Sequence, residues 1–257
     1  MSIQRVRSKT AKTNALLANP VLKEYVPTTN DFGRSTVQRM LDQFEMIYVK
    51  PVDGTFGNGV IRVEKRIGAN RPYFFQSGET KFSFVGFDEM FDKLLLVKKN
   101  KPYLAQQGIH LLKHSGRRFD LRVMVQKNPR SRWETTGMIG RVAHPRKIVT
   151  NYHAGGTPMP VTVLLKNYLT AEQYRSYEAR LRKLGVDIAV ALEKRFPRIK
   201  EIGVDVAIDR SLKPWILEVN TLPDPFLFKK LPTRSVFRRI YSYAVAYGRF
   251  GVRKRKT

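Results

Sequence analysis

The stretch at residues 201–225, EIGVDVAIDRSLKPWILEVNTLPDP, constrains this chain more than any other. Ile202, Val204, Val206 and Ile208 alternate with Gly203, Asp205, Ala207 and Asp209, and a second apolar run, Trp215 to Val219, closes on Asn220-Thr221-Leu222-Pro223. Alternation with period two predicts a strand, and the polar segment between the runs predicts a hairpin. Residues two apart on a strand share a face. Glu218 and Asn220 therefore point the same way, and Asp205 joins them from the paired strand. Two carboxylates and an amide oxygen at strand ends suit a hard cation such as Mg²⁺, with phosphate oxygens completing its shell. The same residues also suit an ordinary hairpin with polar ends, and spacing alone leaves both readings open.

Composition narrows the partners. The 257 residues make one large domain or two closely joined lobes, and 42% apolar content is enough for a core. No long uncharged apolar run predicts a membrane-spanning helix, and the start, MSIQRVRSKTAKTN, is basic without the apolar stretch of a secretory signal. The absence of cysteine excludes disulfides and thiolate chemistry and fits a reducing, cytoplasmic setting. His110, His114, His144 and His153 are too scattered for a zinc site. The formal net charge of +27 attracts polyanions: nucleic acid, anionic lipid, acidic peptides or cell-wall polymers. No zinc finger, RNA-binding aromatic motif or basic zipper accompanies that charge.

Taken in order, residues 1–11 read as a flexible basic arm, followed by a short helix from Lys12 to Ala18. Ser35 to Met46 reads as a helix capped by Ser35, with Val37, Met40, Leu41 and Phe44 inward. A strand, Ile47 to Pro51, leads into the glycine-rich loop Gly54 to Gly59 and a second strand, Val60 to Arg66. Such a loop serves either as a plain hairpin connection or as a lid whose N–H groups cradle phosphates. A hairpin around Ser77-Gly78-Glu79-Thr80 and a helix from Asp88 to Val97, with Met90, Phe91, Leu94 and Leu95 inward, come next. Tyr103 to Gln107, Arg118 to Gln126 and Trp133 to Val142 read as strands. On the second of these, Asp120 and Arg122 share a face, as a surface ion pair would. Thr170 and Gln173 form a capping box for a long helix to Arg195, and its Tyr174 and Tyr177 read as core and rim. Ser235 to Arg249 predicts a final amphipathic helix with one basic face, continued by Arg253 to Lys256. It is either a solvated helix or a dock for an anionic polymer.

Several motifs in this order resemble the ATP-grasp superfamily, and within it the YheC/YheD-like proteins described as endospore coat-associated. They are Tyr48-Val49-Lys50-Pro51 with Gly54 to Gly59, Arg118 to Arg122, Thr150 to His153 with Gly155-Gly156, Gly203-Val204-Asp205, and Leu217-Glu218-Val219-Asn220. The resemblance runs from about residue 12 to 225. It implies an α+β ATP-grasp fold, two lobes whose antiparallel sheets grip ATP. It implies a basic arm at 1–11, an ATP-grasp domain at 12–232 (lid lobe about 47–105, metal-site lobe about 106–232) and a basic helix and tail at 233–257. The preceding domain that many relatives carry is expected to be absent or reduced.

Residue roles follow only from that resemblance. Lys50 looks like the phosphate-binding lysine, with Lys12 a second. Gly57 and Gly59 resemble the lid, and Gln106, Gln107 and Ile109 the hinge against the adenine edge, with Asp120 also counted toward nucleotide binding. Arg122, Arg141 and Asn151 resemble the groups that meet the γ-phosphate and its developing charge. Asp205, Glu218 and Asn220 resemble Mg²⁺ ligands. The implied reaction is ATP- and Mg²⁺-dependent joining of a carboxylate to an amine or related nucleophile through an acyl phosphate, catalysed by positioning and charge neutralisation. The acceptor expected is an acidic peptide, protein or anionic wall or coat component. The alternative is a non-catalytic coat protein that keeps the scaffold and holds nucleotide and an anionic polymer. A nucleic-acid binder rests on charge alone. Location is expected to be cytoplasmic, with coat association inherited from the family.

Overall fold

The computed structural model describes residues 2–53 and 57–251. The lid glycine Gly54 and the cluster Arg253 to Lys256 lie outside the described residues.

The chain opens with α1 (Lys9–Leu17), whose Ser8 side chain accepts from the Ala11 backbone N–H. The helix begins before Lys12, and the basic residues ahead of it are held: Gln4 N–H bonds Arg198 O, and Val6 N–H bonds Thr221 Oγ1 at 2.7 Å.

The first sheet contains β1 (Thr29–Asp31), β2 (Met46–Pro51), β3 (Ile61–Lys65), β4 (Tyr73–Ser77), β5 (Thr80–Phe84) and β6 (Tyr103–Gln107), in the antiparallel order β1-β6-β2-β3-β4-β5. Ile47, Val49, Ile61, Val63, Phe75 and Ala105 pack on α2 (Arg34–Phe44) and α3 (Phe87–Val97). The alternate residues Met46, Tyr48, Lys50, Arg62, Glu64 and Gln106 belong to the other face. Two expectations shift here. The N-cap of α2 is Gly33, with no side-chain cap from Ser35. On α3, Leu95 is exposed while Leu94 is buried, because the helix turns 100° per residue and only one of the two reaches the sheet.

The second sheet contains β7 (Lys113–His114), β8 (Arg117–Lys127), β9 (Trp133–Val142), β10 (Thr157–Met159), β11 (Glu201–Ile208) and β12 (Pro214–Asn220), in the order β10-β9-β8-β11-β12 with β7 on β8. One face, with Phe119, Leu121, Val123, Val125 and Val204, packs on α5 (Ala171–Arg195) through Leu181, Leu184, Ile188 and Leu192, and on α4 (Val161–Leu165). The Thr170–Gln173 capping box is formed, Tyr177 is buried and Tyr174 is half-buried. On the opposite face, Met124 and Ile139 pack on Ile240 of α6 (Arg234–Ala246). Each fully buried side chain of this size contributes about 1.5–3 kcal/mol.

One buried carboxylate joins the two flanks of the chain to β11. Glu201, with no exposure, accepts from Arg5 Nη1 at 2.8 Å, from Arg249 Nη1 at 2.8 Å and from Tyr247 Oη at 2.7 Å. Removing the carboxylate strands two guanidinium groups. We expect Glu201→Ala to lower unfolding stability by about 3 kcal/mol, against about 1 kcal/mol for Tyr247→Phe. Urea midpoints of both variants measure the difference, and equal values would contradict the clamp.

Candidate functional site

The polar faces of the two sheets line one cleft. Its central cavity is walled by Tyr48 and Lys50 of β2, Gly57 of the lid loop, Gln106 of β6, Gln107 and Ile109 at the crossing between sheets, Asp120, Arg141 and Asn151 of the second sheet and its loop, and Asp205 and Glu218 of the hairpin. Ten of the fourteen residues singled out in the sequence therefore share one wall. Lys12, Gly59, Arg122 and Asn220 do not line it. Lys12 is buried in an adjoining cavity of about 660 Å³ that shares Lys9, Lys50, Gln106, Leu217 and Glu218 with the first. At Gly59, where φ is +77°, a Cβ would lie 3.0 Å from Tyr103 Oη and 3.1 Å from Pro51 Cγ.

Strand register brings the acidic groups together. Asp205 stands opposite Glu218 on β12 and opposite Arg122 on β8, while Asp120 stands opposite Arg141 on β9. Asp120 is 2% exposed, and its two oxygens accept from Arg141 Nε at 2.9 Å and Nη2 at 2.5 Å. Arg141 Nη2 also reaches Asp205 Oδ2 at 3.1 Å, and Arg122 Nε donates to Asp205 Oδ1 at 2.5 Å. The surface pair expected between Asp120 and Arg122 is absent. Both are buried, and each pairs across a strand, because the second sheet buries both its faces. Burial opposes the charge on Arg141, but Asp120 and Asp205 outweigh it and raise its pKa above the ordinary arginine value. Burial likewise pushes Asp205 up, but Arg122 and Arg141 outweigh it and hold the carboxyl below the usual range.

Lys50 faces this array from the first sheet. Its Nζ donates to Gln106 Oε1 at 2.8 Å, and Gln106 Nε2 donates to Thr29 Oγ1 at 2.9 Å, which fixes the amide. Burial lowers the Lys50 pKa to about 8, with Lys9 adding to the shift and Glu218 opposing it. Lys12 is lowered for the same reasons. The lid loop closes the cleft at Gly57, where φ is +76° and a Cβ would lie 2.9 Å from Val149 Cγ1 and 3.2 Å from Asn151 Oδ1. Only glycine meets both demands.

Lys9 and Leu217 are among the wall residues that were not singled out in the sequence. Lys9 reaches Glu218 Oε1 at 4.0 Å and comes from the segment read as a free arm. Leu217 sits at a β-bulge: the register passes from Asp205–Glu218 to Val206–Ile216 and skips it. Strict alternation would turn Leu217 away from Glu218, and the bulge lets both border the cavity.

Asp205, Glu218 and Asn220 offer only hard oxygen donors, which suits Mg²⁺ rather than zinc. Glu218 is partly exposed, with Lys9 at 4.0 Å its nearest cation, and so is open to a metal. Asp205 would share its oxygens with Arg122 and Arg141.

Residues 4–250 match the YheC/D like ATP-grasp family model. The chain is 24% identical over 196 residues to the endospore coat-associated protein YheD of Bacillus subtilis (strain 168), covering 75% of this chain and 42% of that protein. It spans roughly half the length of the curated relatives it matches. Among solved structures, the D-alanine–D-alanine ligase from Coxiella burnetii aligns with a TM-score of 0.52 at 14% identity, over 95% of this chain and 57% of that one. The N5-carboxyaminoimidazole synthase from Aspergillus clavatus, in complex with ADP and an aminoimidazole ribonucleotide, aligns at 0.51 and 10% identity, over 96% and 52%. These likenesses establish a shared fold.

The lowered pKa of Lys50 gives a stability prediction. The folded state disfavours its charged form, so the penalty is full below about pH 8, shrinks as pH rises from there and is gone above the ordinary lysine value of 10.5. Lys50→Met is expected to melt higher than the parent chain at pH 7, with the gap closing toward pH 10.5. Thermal melts of both proteins across that range check it, and a lower melting temperature for the variant at pH 7 would contradict it.

Proposed function

This chain belongs to the YheC/D-like ATP-grasp family and has the α+β ATP-grasp fold, and on that footing we propose that it is an ATP- and Mg²⁺-dependent ligase that joins a carboxylate to an amine or related nucleophile. The observation that carries this reading is a single cleft wall. It holds a lysine from one sheet, three carboxylates (Asp120, Asp205 and Glu218) and a buried arginine from the other, and an apolar crossing between them. In this reading the adenine lies against Tyr48, Ile109 and Leu217, with Gln106 and Gln107 at its edge. Lys50 and Lys12 draw the phosphates inward, and Gly57 closes the loop over them. Asp205, Glu218 and Asn220 hold Mg²⁺, which neutralises phosphate charge when bound. Arg141, aimed by Asp120, and Arg122, held by Asp205, set the positive potential around the transferring phosphoryl group, and Asn151 donates beside it. The acceptor carboxylate attacks the γ-phosphorus and ADP leaves. The nucleophile then displaces phosphate from the acyl phosphate. Reaction of two anions needs such a cationic wall, and the net charge of +27 suits an acidic acceptor such as a peptide, protein or wall polymer.

A second reading is a coat-associated binding protein that holds nucleotide without turnover. It draws on the engagement of both Asp205 oxygens by guanidinium groups and on the name of the relative YheD. The two readings part on ADP release.

Calorimetry of ATP with and without Mg²⁺ tests the shared premise. Glu218→Ala is expected to weaken the Mg²⁺-dependent part of binding by about tenfold or more, roughly 1.4 kcal/mol. Affinity in the parent protein is expected to fall as pH rises through about 8, where Lys50 loses its charge, and that inflection is expected to vanish in Lys50→Met. Binding that ignores Mg²⁺, Glu218 and Lys50 alike would sink the proposal. ADP release with acidic peptides as acceptors favours the ligase, and its absence beside intact binding favours the second reading.

A further inference from the structure

The cleft continues past the crossing between the sheets. On the far side of Tyr48 and Ile109, a separate cavity of about 360 Å³ opens between the β2–β3 ladder, residues 109–113 and the β11–β12 turn. Its wall carries Arg62, Lys65, Arg66, Lys113, Arg118 and Arg210, against the carboxylates of Glu45 and Glu64. Glu64 is already engaged, paired with Arg62 and with Arg66 Nε at 2.9 Å, and Lys65 pairs with Asp42 at 2.6 Å. Among the described residues, Lys113, Arg118 and Arg210 form no ion pair. Burial lowers the Arg62 pKa below the ordinary arginine value; Tyr48 and Glu64 oppose the shift, while Arg118 and Arg66 add to it.

We propose that this cavity is a second anion site, separate from the nucleotide's phosphate end, and that it takes a compact oligophosphate or bisphosphate group. Lys50 marks the phosphate end of the central cavity and does not line this one, while Tyr48, Ile109, Leu111 and Arg118 form the partition between them. A single carboxylate would neutralise one of three unpaired cations. An oligophosphate carries several charges in a small volume and presents oxygen pairs that fit guanidinium forks. An acidic peptide would have to bring several side chains into the same cavity to carry that charge. The inference rests on the cavity and its charges, and it holds whether or not the chain turns over ATP.

The test is calorimetry in the Lys50→Met background, chosen to weaken phosphate binding at the central cavity. Inorganic tripolyphosphate and fructose 1,6-bisphosphate are the probes, the first standing for a free oligophosphate and the second for phosphates carried on an organic molecule. Lys113 and Arg210 are exposed, so their reversal leaves the core untouched. The result expected is binding of at least one probe, weakened about tenfold or more by added Lys113→Glu and Arg210→Glu and falling with salt. A control that reverses the equally exposed Lys81 and Arg130 separates local binding from the general field, and it is expected to keep the affinity. Should the double reversal unfold the chain, Lys113→Gln with Arg210→Gln takes its place. Failure of both probes to bind Lys50→Met overturns the proposal. So does equal binding after the Lys113 and Arg210 reversals, or equal loss in the Lys81 and Arg130 control.

Discussion

The site depends on four charged side chains buried between the sheets: Asp120, Arg141, Asp205 and Arg122. They alternate in sign along one line, each bonded to the next across adjacent strands. None is more than 8% exposed. Taking such groups out of water costs several kcal/mol each, and the cost is met only when every partner is in place. The arrangement is therefore a poor source of stability and a strong source of geometry. Removing any one member leaves a buried charge unmatched, so the set fixes the register of β8, β9 and β11 together. That register is also what sets Asp205 opposite Glu218 on β12.

The same economy explains why the cleft is where it is. The first sheet packs one face on helices, and the second packs one face on α4 and α5 and part of the other on α6, which leaves polar the rows that border the cleft. The first sheet's polar rows hold Lys50, Arg62, Glu64 and Gln106, and the second's hold the four buried charges. Neither row has a helix over it at the cleft. The glycine at position 57 lets the lid approach Val149 and Asn151 of the β9–β10 loop, and Gln76 Nε2 reaches the Arg146 carbonyl at 2.8 Å. The two lobes thus meet through contacts at the lid and through two covalent crossings, at residues 26–29 and 107–112.

Sequence patterning reached the elements whose reasons are local. The Thr170–Gln173 capping box, the two-residue alternation of β11 and the pairing of Asp205 with Glu218 all follow from spacing within a short segment. What it missed depends on partners distant in the chain. Asp120 and Arg122 look like a surface pair until β9 and β11 are known to flank β8. Leu217 reaches the wall only through a bulge, which leaves no mark in the hydrophobic pattern. Residues 2–8 look free because their partners, Arg198, Glu201 and Thr221, lie some two hundred positions away. In each case the deciding contact is one that periodicity cannot carry.

The placement of Lys50 on one sheet and its electrostatic partner Glu218 on the other has a consequence for motion. Burial in the cleft lowers the Lys50 pKa to about 8, so the ammonium loses its charge as pH rises past that value. Widening the gap between the sheets readmits that water and returns the lysine toward its ordinary basicity. Between pH 8 and pH 10, opening the cleft is thus accompanied by proton uptake and closing it by proton release. Closure and proton release are coupled in this way, so pH enters the free energy of closure even before any phosphate is bound.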